Sequence, residues 1–357
     1  MRWDRRREDG DVEGLVAEVA AAFEAEDYEG ALARAQAALA RSPRSLPALH
    51  YRAAALAEMG RLEEAREGYE RALVQGKDDL DLLYGAADFQ LNVLAEDDSD
   101  REALERGLDL AARGAKLARR SGDRELAGEF AWLEVVAFNQ LGRSTEALAR
   151  LDEAVAAHPE SVDVRLERGF ALYELCRFDE AREELLRAER LDRDDAWTQH
   201  TLGLVLERRG GAKEAERRFA RARKLAPDEF PKPIALSPQA FDHAVEDALA
   251  KLPETVRRYL SNVAITVEEL PSDEDLLASD PPLSPAILGL FRGVPHGAGA
   301  VDPWTHLPSA IVLYQKNLER FAKSKKELVE QIGITLIHEV GHFLGLDEEE
   351  LWARGLE

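Results

Sequence analysis

A segment of 34 residues recurs along the first two thirds of this chain, and that period limits the fold more than any other feature. Residues 128–161, 162–195 and 196–229 align without a gap. Ala147, Ala181 and Ala215 hold one position of the period, and Ala154, Ala188 and Ala222 hold another. Upstream, Ala31 and Ala65 keep the same spacing, as do Ala38 and Ala72. Each unit is an amphipathic stretch, a turn that often carries glycine (Gly60, Gly142, Gly210), then a second amphipathic stretch. Small residues recur where two helices cross closely, and larger apolar ones recur at helical spacing to fill the layer between them. One unit breaks the register: Ala65 and Ala147 lie 82 residues apart, 14 more than two periods. The extra length falls around "LAEDDSDREALERG" (94–107), which predicts six helical hairpins with the third enlarged.

In period and pattern this array resembles the tetratricopeptide repeat. Leu202, Gly203, Ala215, Phe219, Ala222 and Pro227 follow its consensus, and Tyr28, Leu62, Phe178 and Ala212 fall on its bulky turn position. The resemblance covers residues 12–229 and implies an α-solenoid that serves either as a spacer or as a groove for a protein partner. Phe170, Tyr173, Trp197, His200 and Leu204 are inner-face candidates in the last two units, or equally core. No cluster of Lys, Arg and Asn stands at matching positions to grip a peptide carboxylate.

The formal net charge of −23 argues against nucleic acid or an anionic membrane as the main partner. No apolar run approaches the length of a bilayer span. The start, "MRWDRRREDGDVEGL", has no apolar region behind its basic residues, so no secretory signal is expected. A lone cysteine, Cys176, allows no internal disulfide and fits a reducing, cytoplasmic setting. It sits in a repeat turn and receives no role.

The array ends at a proline-rich stretch, residues 230–237 within "APDEFPKPIALSP". Ser237-Pro238 then opens a helix that Pro253 breaks or kinks. Beyond it the period changes. "NVAITVEEL", "AILGLFRG" and "SAIVLYQKNL" read as short strands between Pro/Gly/Asp-rich loops, and a last helix is expected from about Lys325 to Leu344. Residues 238–357 are therefore expected to form a small α+β domain, and the chain as a whole to be mostly α.

That last helix carries "HEVGHFLGLDEEEL" (338–351). Positions i and i+4 share a helix face, so His338 and His342 can offer two imidazole nitrogens to one Zn²⁺. Glu339 follows the first of them and can take a proton from water activated at such a site. A third ligand is needed. A straight helix would rotate Glu348 away, but Gly345 can adopt positive φ and swing the following residues back. The spacing HExxHxxGxxE makes Glu348 the favoured ligand, with Asp347 its rival. Asp347 to Glu350 can also be read as the acidic first turn of a short final helix. The methionine turn of metzincins is missing, since Met1 and Met59 are the only methionines, and too few residues follow His342 for the additional helix of thermolysin-like enzymes.

From about Leu236 onward, "FDHAVEDALAKLP", "NVAITVEELP", "LGLFRGVP", "IVLYQKNLER" and "ITLIHEVGHFLGLDEEEL" resemble the minimal zincin-like metallopeptidases of bacteria. The resemblance implies one Zn²⁺ held by His338, His342 and an acidic residue, with Glu339 as catalytic base. The third strand is expected to be the edge against which an extended peptide pairs. Tyr314 on it is a candidate oxyanion donor or a packing residue. The loop "GVPHGAGAVDPWTHLP" (293–308) holds His296 and His306 and is a candidate lid. The expected function is zinc-dependent cleavage of a protein or peptide, with the array recruiting substrate or a regulatory partner. The alternative is a repeat scaffold whose tail domain binds zinc only structurally.

Overall fold

A computed structural model describes residues 2–95, 101–260, 263–293, 310–347 and 350–351. Twelve helices pair into six hairpins: α1 (Arg2–Glu24) with α2 (Tyr28–Arg41), α3 (Leu46–Glu58) with α4 (Leu62–Gln75), and α5 (Leu80–Asp88) with α6 (Arg101–Ser121). The series continues with α7 (Arg124–Gln140) and α8 (Ser144–Ala157), α9 (Val162–Glu174) and α10 (Phe178–Leu191), then α11 (Ala196–Arg208) and α12 (Ala212–Leu225). The third hairpin is the enlarged one: α5 runs on as a π-helix, Phe89–Leu94, and α6 has 21 residues. The recurring alanines are buried where the helices cross, with Ala31, Ala38, Ala65, Ala72, Ala147 and Ala154 fully covered. A methyl group there lets two helices approach within the packing distance that a larger side chain would forbid.

Within the hairpins the turn residue takes a left-handed backbone. Gly60, Gly142 and Gly210 do so at φ 72°, 68° and 75°, while Glu26 and Cys176 hold the same turn at 58° and 57°. The hairpin turn therefore demands this conformation even of residues with a Cβ.

Packing divides the chain into two compact units, Met1–Ala171 with Glu183–Asp192, and Leu172–Arg182 with Arg193–Glu357. The second unit thus holds the sixth hairpin together with the sheet. After the proline-rich stretch come α13 (Pro238–Lys251) and α14 (Glu254–Leu260), separated at Pro253, and β1 (Ala264–Glu268). A single-turn helix α15 (Asp273–Leu276), β2 (Gly289–Arg292), β3 (Ala310–Tyr314), α16 (Gln315–Phe321) and α17 (Lys325–Phe343) complete it. Ser237 caps α13 through its side chain, and Ser324 caps α17 in the same way.

The sheet order is β1-β3-β2, with β1 parallel and β2 antiparallel to β3. The third strand is therefore central, and β2 is an edge among the described strands. This corrects the expectation that "AIVLY" forms the edge. An uninterrupted apolar run marks a strand covered on both faces, and Ile311 through Tyr314 are all fully buried. Ile311 and Leu313 join Phe241, Val245 and Ala248 of α13 and Leu328, Ile332 and Leu336 of α17 in one apolar core.

The sixth hairpin is tied to this domain by ion pairs. Arg208, 5% exposed at its side chain, donates to the Pro271 carbonyl and to Asp273 Oδ1 at 2.8 Å. Glu207 accepts from Arg320 and lies 3.5 Å from Lys316 Nζ. Cys176 Sγ lies 3.7 Å from the Leu283 carbonyl. Of the inner-face candidates, Tyr173 is buried against Phe178, while Trp197 and His200 pack on Phe230 at 4.8 and 4.5 Å between ring centroids. Tyr173 is thereby a packing residue, whereas Trp197 stays half-exposed.

Candidate metal centre

The motif helix α17 places His338 and His342 one turn apart, with Nε2 of one 3.1 Å from Nε2 of the other. Two nitrogens on one tetrahedral zinc, each about 2.05 Å from it, stand about 3.3 Å apart, so the pair fits a shared ion. His342 Nδ1 lies 3.1 Å from the Leu346 carbonyl. A proton on Nδ1 donated to that carbonyl leaves the Nε2 lone pair for a metal and fixes the ring's orientation.

The carbonyl is brought there by the end of the helix. Gly345 has φ 87°, its N–H donates to the His342 carbonyl, and the Leu346 N–H donates to the Gly341 carbonyl, both at 3.0 Å. This glycine-dependent helix stop turns the chain back over the motif. Leu351, fully buried, anchors the returning segment against Gly341, where an added Cβ would lie 2.2 Å from Leu351 Cδ2. Glycine between the two histidines thus leaves the Leu351 side chain its seat.

Asp347 Oδ1 accepts from the Glu350 N–H at 2.9 Å, and the Leu351 N–H donates to the Asp347 carbonyl. Asp347 therefore caps the final turn, as the acidic-turn reading expected, and its carboxylate is engaged. Glu348, like His296 and His306, lies outside the described residues. Among the described residues no group of three His, Cys, Asp or Glu side chains is assembled that would hold an ion.

Glu339 is 5% exposed and faces a cleft of about 440 Å³ with both histidines. The far wall is the edge strand and its approach, Leu283 and Ile287 through Phe291, and Ile334 and Thr335 of α17 continue the lining. Gly289 is what lets the strand come so close: a Cβ there would stand 2.6 Å from Thr335 Cγ2 and 3.3 Å from Glu339 Oε1. Asn317, buried, holds the approach by donating to the carbonyls of Pro285 and Ile287 at 2.9 and 2.7 Å. The interior glycine of "AILGLFRG", Gly289, is a signal of such close backbone approach.

Tyr314 is not brought to this cleft. Strand alternation turns Ile311 and Leu313 to the helices, so Tyr314 falls on the other side, paired in register with Glu268. Burial raises its hydroxyl pKa above the ordinary value, and Asp275, Arg292 and Glu268 are its charged neighbours. Arg292 binds Glu268 Oε1 at 2.7 Å and Asp275 Oδ1 at 2.8 Å. That pairing makes this a structural ion cluster on the face away from the histidines.

With this geometry established, residues 260–356 match the zincin-like metallopeptidase family, and residues 16–80 and 139–202 match tetratricopeptide repeat families. The chain thus joins regions that match tetratricopeptide repeats to a region that matches the zincin-like metallopeptidases. Among solved structures it is similar to Pseudomonas aeruginosa PilF, at 14% identity and a TM-score of 0.52, covering 67% of this chain and 99% of that one. It is also similar to PilW, a type IV pilus biogenesis factor, at 16% identity and a TM-score of 0.52, covering 61% of this chain and 94% of that one. At these identities the likeness is one of fold. No curated protein matches the chain.

Proposed function

We propose that the protein is a zinc-dependent peptidase that cleaves a protein or peptide, with His338, His342 and Glu348 as ligands and Glu339 as general base. The observation that carries this is the convergence of the two Nε2 atoms, 3.1 Å apart, at a cleft where Glu339 is buried beside them. A bound zinc supplies Lewis acidity, lowering the pKa of water and polarising the scissile carbonyl. Glu339 accepts the proton of the attacking water and delivers it to the departing amine. The edge strand β2 offers main-chain groups to an extended substrate, and its apolar wall excludes water around the scissile bond. Glu348 is favoured over Asp347 because the latter's carboxylate already caps the final turn.

The array recruits the substrate or a regulatory partner, in a cytoplasmic setting that suits a chain with one thiol. No helix among the described residues is long and apolar enough to cross a membrane. The test is profiling of newly formed peptide N-termini after incubating the zinc-loaded protein with a proteome extract. The parent is expected to generate new termini and Glu339→Gln to generate none while keeping its zinc. New termini at equal levels from both proteins, or from neither, would overturn the reading, the latter favouring a scaffold with a structural ion.

A further inference from the structure

A second cleft, of about 500 Å³, lies within the first unit and has no part in the zinc site. It is built from the first helices of three successive hairpins: Pro47, His50 and Tyr51 on α3, Asp81 and Tyr84 on α5, and Glu129 on α7, with the α5 cap Asp79 at its rim. The floor is the His50 ring, which fits over Gly85 so closely that a Cβ there would stand 2.4 Å from Nε2. Tyr51 stacks on His50 at 5.6 Å with the rings 14° apart. Burial lowers the pKa of His50 even though the nearby Asp81 and Asp79 oppose the shift, so the floor is uncharged at neutral pH. Tyr84 shares a hydrogen bond with Glu129.

The walls therefore carry three carboxylates and two tyrosine rings, and no lysine or arginine is among the lining residues. Three observations bear on the occupant. The site is concave and lies on one face of consecutive repeats, which suits an extended segment crossing several helices. Its charge is of one sign, so an acidic occupant would be repelled and a cationic one attracted; Asp81 is exposed and available to it, while Glu129 also lies 3.1 Å from His158 Nε2 and Asp79 accepts from the Leu82 N–H. Its tyrosine rings offer faces to a cation beside the carboxylates.

We propose that this cleft selects a lysine- or arginine-bearing segment of a protein partner, the cationic side chain lying between the Tyr51 and Tyr84 rings and the Asp81 and Glu129 carboxylates. The proposal rests on the reading of the array as a recruiting surface and supplies the chemistry of what is recruited. It is opposite in polarity to a site that grips a peptide's terminal carboxylate. The net charge of −23 adds long-range attraction for such a segment.

The experiment uses the full chain carrying Glu339→Gln, so that a bound peptide is not cut. Four pools of nonapeptides bear a neutral fluorophore, a fixed central Arg, Lys, Gln or Glu, and flanks randomised among Ala, Gly and Ser. Binding is followed by fluorescence anisotropy. The Arg and Lys pools are expected to bind about tenfold more tightly than the Gln pool, with the Glu pool weakest. That advantage should fall to within about twofold in Asp81→Asn/Glu129→Gln, and about threefold in the conservative single variant Asp81→Asn at the exposed start of α5. Equal affinity for the four pools, no binding of any pool, or an advantage that survives in folded Asp81→Asn/Glu129→Gln would overturn the proposal. The readout needs neither zinc nor turnover. An inactive metal centre therefore leaves it standing, and its failure leaves the peptidase reading untouched.

Discussion

Replacing Gly341 with alanine is expected to weaken zinc binding without touching a ligand. Alanine in a helix interior is favoured over glycine by about 1 kcal/mol, so on propensity alone the change should stabilise α17. The structure reverses that sign. The new Cβ would stand 2.2 Å from Cδ2 of the fully buried Leu351, whose side chain must shift and gives up burial as it does. Losing the burial of a leucine side chain costs about 1.5–3 kcal/mol, so the net loss is about 0.5–2 kcal/mol. With Glu348 as a ligand, that segment's docking energy is part of the site's affinity, and about 0.5–2 kcal/mol corresponds to an about 2- to 30-fold rise in the zinc dissociation constant. Competition against a chromophoric zinc chelator measures it. Leu351→Ala should give a similar loss, and the double variant should be little worse than either single one, because both remove one contact. Affinity within twofold of the parent in folded Gly341→Ala would refute the claim that the third ligand rides on this turn.

Gly289→Ala should lower stability by about 1–3 kcal/mol and reduce the proposed cleavage, because the methyl would press on Thr335 and the Glu339 carboxylate; thermal melts beside turnover check it. Burial pushes the Glu167 carboxyl up to about 7, so its ionisation opposes folding, with the penalty growing from the unfolded value of about 4.5 and complete above 7. Glu167→Gln should therefore raise the melting temperature at pH 8 and change it far less at pH 4. Arg208→Ala, which leaves the Pro271 carbonyl and Asp273 without their buried donor, should cost about 1–3 kcal/mol in the second unit, read by denaturant titration.

Much of this protein is legible in its sequence because repetition and helical periodicity are local signals. The alanine register located the six hairpins and the enlarged third, and the break at Pro253 separates α13 from α14 as read. The motif helix ends at Phe343 with Gly345 in the left-handed conformation expected of it. Strand order was not legible. "AIVLY" carried the sign of a central strand in its unbroken apolar run, yet pairing partners are chosen by long-range packing that a five-residue stretch does not encode. Of the two readings of Tyr314, the packing one fits its full burial away from the cleft, since the face a strand residue takes depends on what covers each side. The joining of the sixth hairpin to the sheet domain rests on Arg208, Glu207 and Arg320, single residues whose contacts follow no period. Gly289 and Gly341 left only the weaker signal of a glycine where a larger residue would suit the element.

The most direct test of the central claim is the zinc content of the purified full chain by elemental mass spectrometry, after loading with zinc and exhaustive dialysis, with His338→Ala beside it. The account predicts close to one zinc per parent chain and almost none in the variant. A parent that retains no zinc, or a variant that retains as much as the parent, would contradict it.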